Sequence, residues 1–86
     1  MQVKITTPSQ RQEFKEVKSL KLQGYAGKFE ILSGHENLIA LVKDVLHIDL
    51  PTQILQISIA DGSILEFDNN TNSAKIMTIS YNEMKN

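Results

Sequence analysis

Gly24-Tyr25-Ala26-Gly27-Lys28-Phe29-Glu30-Ile31-Leu32-Ser33-Gly34-His35 decides how this chain is read. Three glycines and a histidine stand at set offsets around a short apolar strand, and the run Leu38-Ile39-Ala40-Leu41-Val42 follows. No nucleophilic, metal-binding or phosphate-cradling chemistry needs that spacing. Backbone geometry does, because a glycine at either end of a strand supplies a tight turn or a positive φ that a side chain would strain. Gly24, Gly27 and Gly34 are therefore structural turn residues, with Phe29 and Ile31 pointing inward between them.

Outward from that stretch, alternation with a period of two dominates and helical periodicity is scarce. Met1, Val3 and Ile5 alternate with polar neighbours to give a first strand, ended at Pro8, which has no N–H to offer a ladder. Phe14 stands alone among polar and charged residues as a plug at a sheet edge. Val17, Leu20 and Leu22 give a second strand with Val17 out of phase, so a bulge or turn is expected between Val17 and Leu20. Leu38 to Val42 reads as a short strand covered on both faces, although Ile39 to Leu46 leaves room for one or two helical turns. Leu46, Ile48 and Leu50 alternate with His47 and Asp49, and Pro51-Thr52 turns the chain. Leu55, Ile57 and Ile59 follow, then Asp61-Gly62 as a hairpin turn into Leu65 and Phe67. The segment 68–73 is a polar turn; Met77, Ile79 and Tyr81 close the set.

About eight to ten short strands at this spacing predict an all-β fold, a small antiparallel β-sandwich or flattened barrel. Its expected core is Val3, Ile5, Leu20, Leu22, Phe29, Ile31, Leu41, Ile57, Ile59, Leu65, Phe67 and Ile79. At 86 residues the chain holds one domain, expected over 1–81 with a polar tail at 82–86.

Composition narrows the function. There is no cysteine, hence no disulfide and no thiolate ligand. Nine basic and ten acidic residues leave a net charge of −1, scattered rather than blocked, which argues against a nucleic-acid partner. The longest apolar run, Leu38 to Val42, has five members, against ~18 needed to span a bilayer. The N-terminus alternates polar and apolar residues, unlike a signal or transit peptide, so a soluble chain without membrane insertion is expected.

Catalytic and metal chemistry find little support. His35 and His47 stand twelve residues apart without a carboxylate cluster, which is no metal site. No glycine cluster leads into Gly-Lys-Ser/Thr, so there is no P-loop. Ser33 and His35 lack a third partner and a pocket for a hydrolase. The expectation is a non-enzyme with no cofactor.

The quoted stretch resembles the epsilon (or delta) subunit of F-type ATP synthases, where G-x-x-G, alternating apolar positions and P-G-H precede a pair of aliphatics. The resemblance covers nearly the whole chain. Ile5-Thr6-Thr7-Pro8 looks like the opening strand and its exit, Phe14 like the family's lone aromatic, and Val17 to Gly24 like the second strand. Ile59-Ala60-Asp61-Gly62-Ser63-Ile64-Leu65-Glu66-Phe67 is similar to the late family hairpin. Ser33 stands where proline is usual, Glu36-Asn37 replace Ala-Pro, Asp44-Val45 replace Pro-Gly, and Ser63 takes the place of a second hairpin glycine.

The resemblance implies a short-form subunit, without the family's C-terminal helical hairpin. Its role would be that of a central-stalk (rotor) subunit clamping the foot of the gamma subunit onto the membrane rotor ring, peripheral on the cytoplasmic side of the bacterial inner membrane. It implies a ring-facing interface at Tyr25, Ala26, Gly27, Lys28, Phe29 and Glu30. It also implies a gamma-facing interface at Pro8, His35 and Leu46, with structural turns at Gly24, Gly27, Gly34 and Gly62. An acidic residue is common in the family where Lys28 stands, so a matching change is expected in the ring loop; Lys28 reads equally as a solvated lysine. For His35 we favour a structural reading, in which the ring bonds a nearby backbone carbonyl and fixes the loop. The runner-up function is a free-standing β-sandwich adaptor for another protein. An oligonucleotide-binding barrel ranks last, because Phe14, Tyr25, Phe29, Phe67 and Tyr81 do not gather on a basic face.

Overall fold

Alternating apolar residues need a second layer to bury against, and the chain provides it by folding one continuous sheet over on itself. The computed structural model describes residues 1–84. These form β1 (Gln2–Thr6), β2 (Arg11–Phe14), β3 (Ser19–Gly24), β4 (Lys28–Leu32), β5 (Leu38–Asp49), β6 (Ile54–Ile59), β7 (Ser63–Asp68), β8 (Ser73–Met77) and β9 (Tyr81–Met84), with no helix among the described residues. Pairing is antiparallel except between β1 and β8, which run parallel. Ile39 to Leu46 is strand, not helix.

The layers are made by a shared corner. The first half of β5 pairs with β7, from Leu38 opposite Phe67 to Val42 opposite Ser63. Its second half pairs with β6, from Val45 opposite Ser58 to Asp49 opposite Ile54. Between them lies Asp44 at φ 62°, and the register with β3 shifts there, between Lys21 and Gln23. Strands commonly change sheets at such bulges. On the next strand line the break is Ala60–Gly62, with Gly62 at φ 80°. On the third it is Thr78–Ser80, since β8 pairs β7 and β9 pairs β6.

Asp61-Gly62 is therefore a corner and not a hairpin turn: β6 and β7 follow one another along β5 without pairing. Local sequence specifies the positive φ of a turn, but not which strand lies beyond it. The hairpin between β5 and β6 closes instead around Pro51–Gln53, where Leu50 N–H donates to the Gln53 carbonyl at 2.8 Å. Hydroxyl groups staple the corner from within. Buried Ser63 Oγ lies 2.5 Å from the Ala60 carbonyl oxygen and 2.8 Å from Thr78 Oγ1. Thr78 Oγ1 in turn accepts from Ala60 N–H at 3.3 Å and lies 3.0 Å from the Ser80 carbonyl.

Inside the fold pack Val3, Ile5, Val17, Leu20, Leu22, Ile31, Val42, Leu46, Ile48, Ile57, Ile59, Leu65, Phe67, Ala74 and Ile76. Three expected members are elsewhere. Phe29 is half-buried at the margin, Leu41 is exposed, and Ile79 is 79% exposed in the bend between β8 and β9. The alternation of β8 is offset by one residue from the expected one: Ala74 and Ile76 point inward and Met77 does not. The run Leu38–Val42 is covered on one face only, with Ile39 70% exposed and Val42 fully buried.

Val17 precedes β3, beyond Glu16 at φ 58°, and exchanges hydrogen bonds with Met1: its N–H donates to the Met1 carbonyl at 3.0 Å, and the Met1 amine donates to the Val17 carbonyl at 3.1 Å. β2 carried no apolar alternation to announce it; it is an edge strand whose only core contact is Phe14. The expected tail begins inside β9, where Asn82 pairs with Ser58; residues 85–86 lie outside the described residues.

Candidate functional site

The two glycine-bounded ends of β4 place the candidate residues at opposite ends of the fold. At one end, Tyr25–Gly27 link β3 to β4, and Gly24 N–H donates to the Gly27 carbonyl at 2.9 Å. Gly27 sits at φ 141°. A Cβ on Gly24 would lie 3.1 Å from both the Gly27 carbonyl oxygen and the Phe29 ring, so the close approach itself needs glycine. Tyr25 is exposed with Lys43 Nζ 5.1 Å from its ring centroid, a cation–π contact. Lys28 and Glu30 project to solvent on either side of Phe29, opposite Gln23 and Lys21. With Asp44 and His47 they line an open depression of mixed charge.

At the other end, residues 33–37 fold against the 69–72 turn. The His35 ring meets Phe67 edge-on with centroids 5.7 Å apart. Its Nδ1 is 2.7 Å from the Glu36 carbonyl oxygen; a carbonyl only accepts, so Nδ1 carries the proton. This is the loop-fixing role favoured for His35 from the sequence. Asn69 and Asn72 bond the same loop, a contribution that sequence reading placed only as turn propensity.

The implied gamma-facing trio is not brought together. Pro8 is exposed beside the corner, where it lines one depression with Ile64, Met77 and Ile79. His35 lies at the far end of the same sheet, next to Leu38 and Phe67. Leu46 is 0% exposed in the core. Its side chain reaches no partner, so its assignment to an interface is corrected: inward parity on β5 puts it with Val42 and Ile48.

What the sequence reading missed is the outer face between Pro8 and His35. Leu41, Ile64 and Met77 stand side by side across β5, β7 and β8, with Ile39 one step along β5. The neighbouring row is charged: Glu66 opposite Lys75, then Lys4, whose Nζ lies 3.8 Å from Glu13. Leu41 also borders a depression shared with Tyr25, Gly27 and Phe29, so the apolar row joins the Pro8 turn to the Tyr25 turn. Ile64, outward next to inward Leu65, was the available signal; Ile39 and Leu41 were masked because their run contains no polar residue to mark the solvent side.

Among the described residues no cluster of three or more His, Cys, Asp or Glu is placed to hold a metal ion, and every buried side-chain polar atom has a partner. No helix among the described residues is long and apolar enough to cross a membrane.

A sheet folded over a stapled corner, with loops at its ends and an apolar row on its outer face, defines a small β-sandwich domain. The chain belongs to the family of the ATP synthase Delta/Epsilon chain, beta-sandwich domain, whose model matches residues 1–80. Among solved structures, a chain of the Euglena gracilis mitochondrial ATP synthase, imaged by cryo-EM as OSCP/F1/c-ring in rotational state 1, superposes with a TM-score of 0.83 at 18% identity. A chain of the Tetrahymena thermophila mitochondrial ATP synthase central stalk/c-ring does so with a TM-score of 0.80 at 11% identity. Each match covers 94% of this chain, but only 51% and 64% of those chains respectively. At these identities the likeness is one of fold. No curated protein matches the sequence.

Proposed function

We propose that this chain is the β-sandwich of a non-catalytic central-stalk subunit of an F-type ATP synthase, holding the gamma subunit against the membrane rotor ring. The observation that carries the reading, given the family, is the apolar row Leu41–Ile64–Met77 with Ile79 and Pro8 on the outer face. Contiguous exposed apolar groups rimmed by charge mark protein contact surfaces. Gamma docks along this face, from Pro8 at one end to His35 at the other, a span that fits within the 28 Å extent of the fold. The ring meets the turn Tyr25–Glu30, with Lys28 and Glu30 as its exposed charges. The mechanism is mechanical: a sandwich stapled at its corner keeps two contact surfaces in fixed relation, so torque passes between them without slippage. The subunit is peripheral, on the cytoplasmic side of a bacterial inner membrane, and needs no cofactor.

The test is a pull-down with purified gamma subunit and with ring-containing membranes from the same cells. Ile64→Glu places a charge in the apolar row and is expected to abolish gamma binding while the circular dichroism spectrum stays β-rich. Lys28→Glu is expected to weaken ring binding and spare gamma. If both variants bind both partners normally, the rotor reading fails and the adaptor reading replaces it.

A further inference from the structure

We infer that Asn69 and Asn72 are positioning residues for docking: they lock residues 33–37 and the 69–72 turn into one preformed contact surface at the His35 end of the face. The inference rests on the rotor reading above. Asn72 Oδ1 accepts from Gly34 N–H at 2.8 Å, and its Nδ2 donates to Ser33 Oγ at 2.8 Å. Asn69 Nδ2 donates to the carbonyls of Gly34 at 3.1 Å and His35 at 2.7 Å. The Asn69 N–H donates to Asn37 Oδ1 at 2.7 Å, closing the contact from the other loop. Asn72 holds φ 50°, a conformation that asparagine tolerates better than most side chains.

Stability is a weak reason for this lock. Ser33, Gly34, Asn37 and Asn69 are exposed, and a hydrogen bond formed there replaces one to water for a small net gain. Residues 33–37 belong to no strand, and the His35 contacts hold only the middle of the segment, so without the lock its ends would have to be ordered when a partner arrives. Ordering at the moment of association is subtracted from affinity, and a loop already held does not incur that loss. The surface it presents is polar, with Glu36 and Asn70 exposed at its rim, and suits the rim of a folded protein partner more than an apolar one. Gamma is that partner, because the loop lies at the end of the sheet remote from the ring-facing turn.

The chemistry makes the proposal specific to sign. Asn69→Asp sets a carboxylate against two carbonyl oxygens and breaks the lock more completely than Asn69→Ala does. Asn72→Asp keeps the acceptor for Gly34 N–H and breaks it least. The experiment measures three things on each variant and on Asn69→Ala/Asn72→Ala: amide exchange of residues 33–37, melting temperature, and affinity for purified gamma subunit, with Ile64→Glu as control. Expected are fast exchange in the double variant, a melting temperature lowered by a few degrees at most, since alanine at φ 50° adds local backbone strain, and an affinity loss of about tenfold. Asn69→Asp should lose at least as much and Asn72→Asp less. A loosened loop with unchanged affinity overturns the inference, and so does an affinity loss that only tracks unfolding. If Ile64→Glu also binds gamma normally, it is the rotor reading that falls.

Discussion

At the scale of single residues, backbone conformation and burial give opposite kinds of sensitivity. Gly34 at φ 83° and Gly27 at φ 141° have no atom within 4 Å of a built Cβ, so alanine there meets no clash and tests the backbone alone. Each substitution is expected to cost about 1 kcal/mol or more, read as a lower melting temperature; two unchanged melts would refute the turn argument. Leu65 and Ile57 are buried in the core. Truncation of either to alanine removes packed methyl groups from a fully buried position and should cost about 2–5 kcal/mol in denaturant unfolding. In so small a domain that is a large share of the total stability. Leu46→Arg belongs with these. It should yield unfolded or aggregated protein, not a folded protein released from gamma, because its side chain is wholly inside.

At the scale of elements, the corner is the feature on which the rest depends. Three strand lines turn at Asp44, Gly62 and Thr78–Ser80, and buried Ser63 and Thr78 hold the last two together. Serine at position 63 thereby has a structural role at the corner. Thr78→Val is nearly isosteric but removes the acceptor for Ala60 N–H and the partner of Ser63 Oγ. It should destabilise by about 1–3 kcal/mol in urea unfolding. A double-mutant cycle with Ser63→Ala should show coupling between the two, and strictly additive losses would mean that the hydroxyls act separately.

At the scale of the whole molecule, the two ends of the fold carry different loops, and the sheet face between them carries the apolar row. On the rotor role proposed above, charge reversal in the Tyr25–Glu30 turn should uncouple ion pumping from ATP hydrolysis. Lys28→Glu in the assembled complex is expected to reduce ATP-driven ion pumping while ATP hydrolysis continues, measured in inverted membrane vesicles. Equal pumping in variant and wild type would separate Lys28 from the ring. Surface charge makes part of such a contact salt-dependent, whereas the apolar row at Ile64 should hold gamma at raised ionic strength.

The sequence by itself determined that the chain is all-β, where most strands lie, and that Gly27 and Gly34 stand at turns a side chain would strain; for His35 it favoured a loop-fixing ring. These properties are local: alternation follows from a side-chain period of two, and glycine from the sterics of one residue. It also carried the family likeness, because the spacing of glycines around β4 is itself a local pattern. Only the tertiary structure decided that Asp61-Gly62 is a corner, that Leu46 is core, and that Leu41, Ile64 and Ile79 share an outer surface. A turn motif holds no information about which strand will flank it, and a wholly apolar run has no polar residue to say which side faces water. Those choices depend on pairings between residues far apart in the chain, such as Leu41 with Ile64, which are settled when the sheet closes over its core.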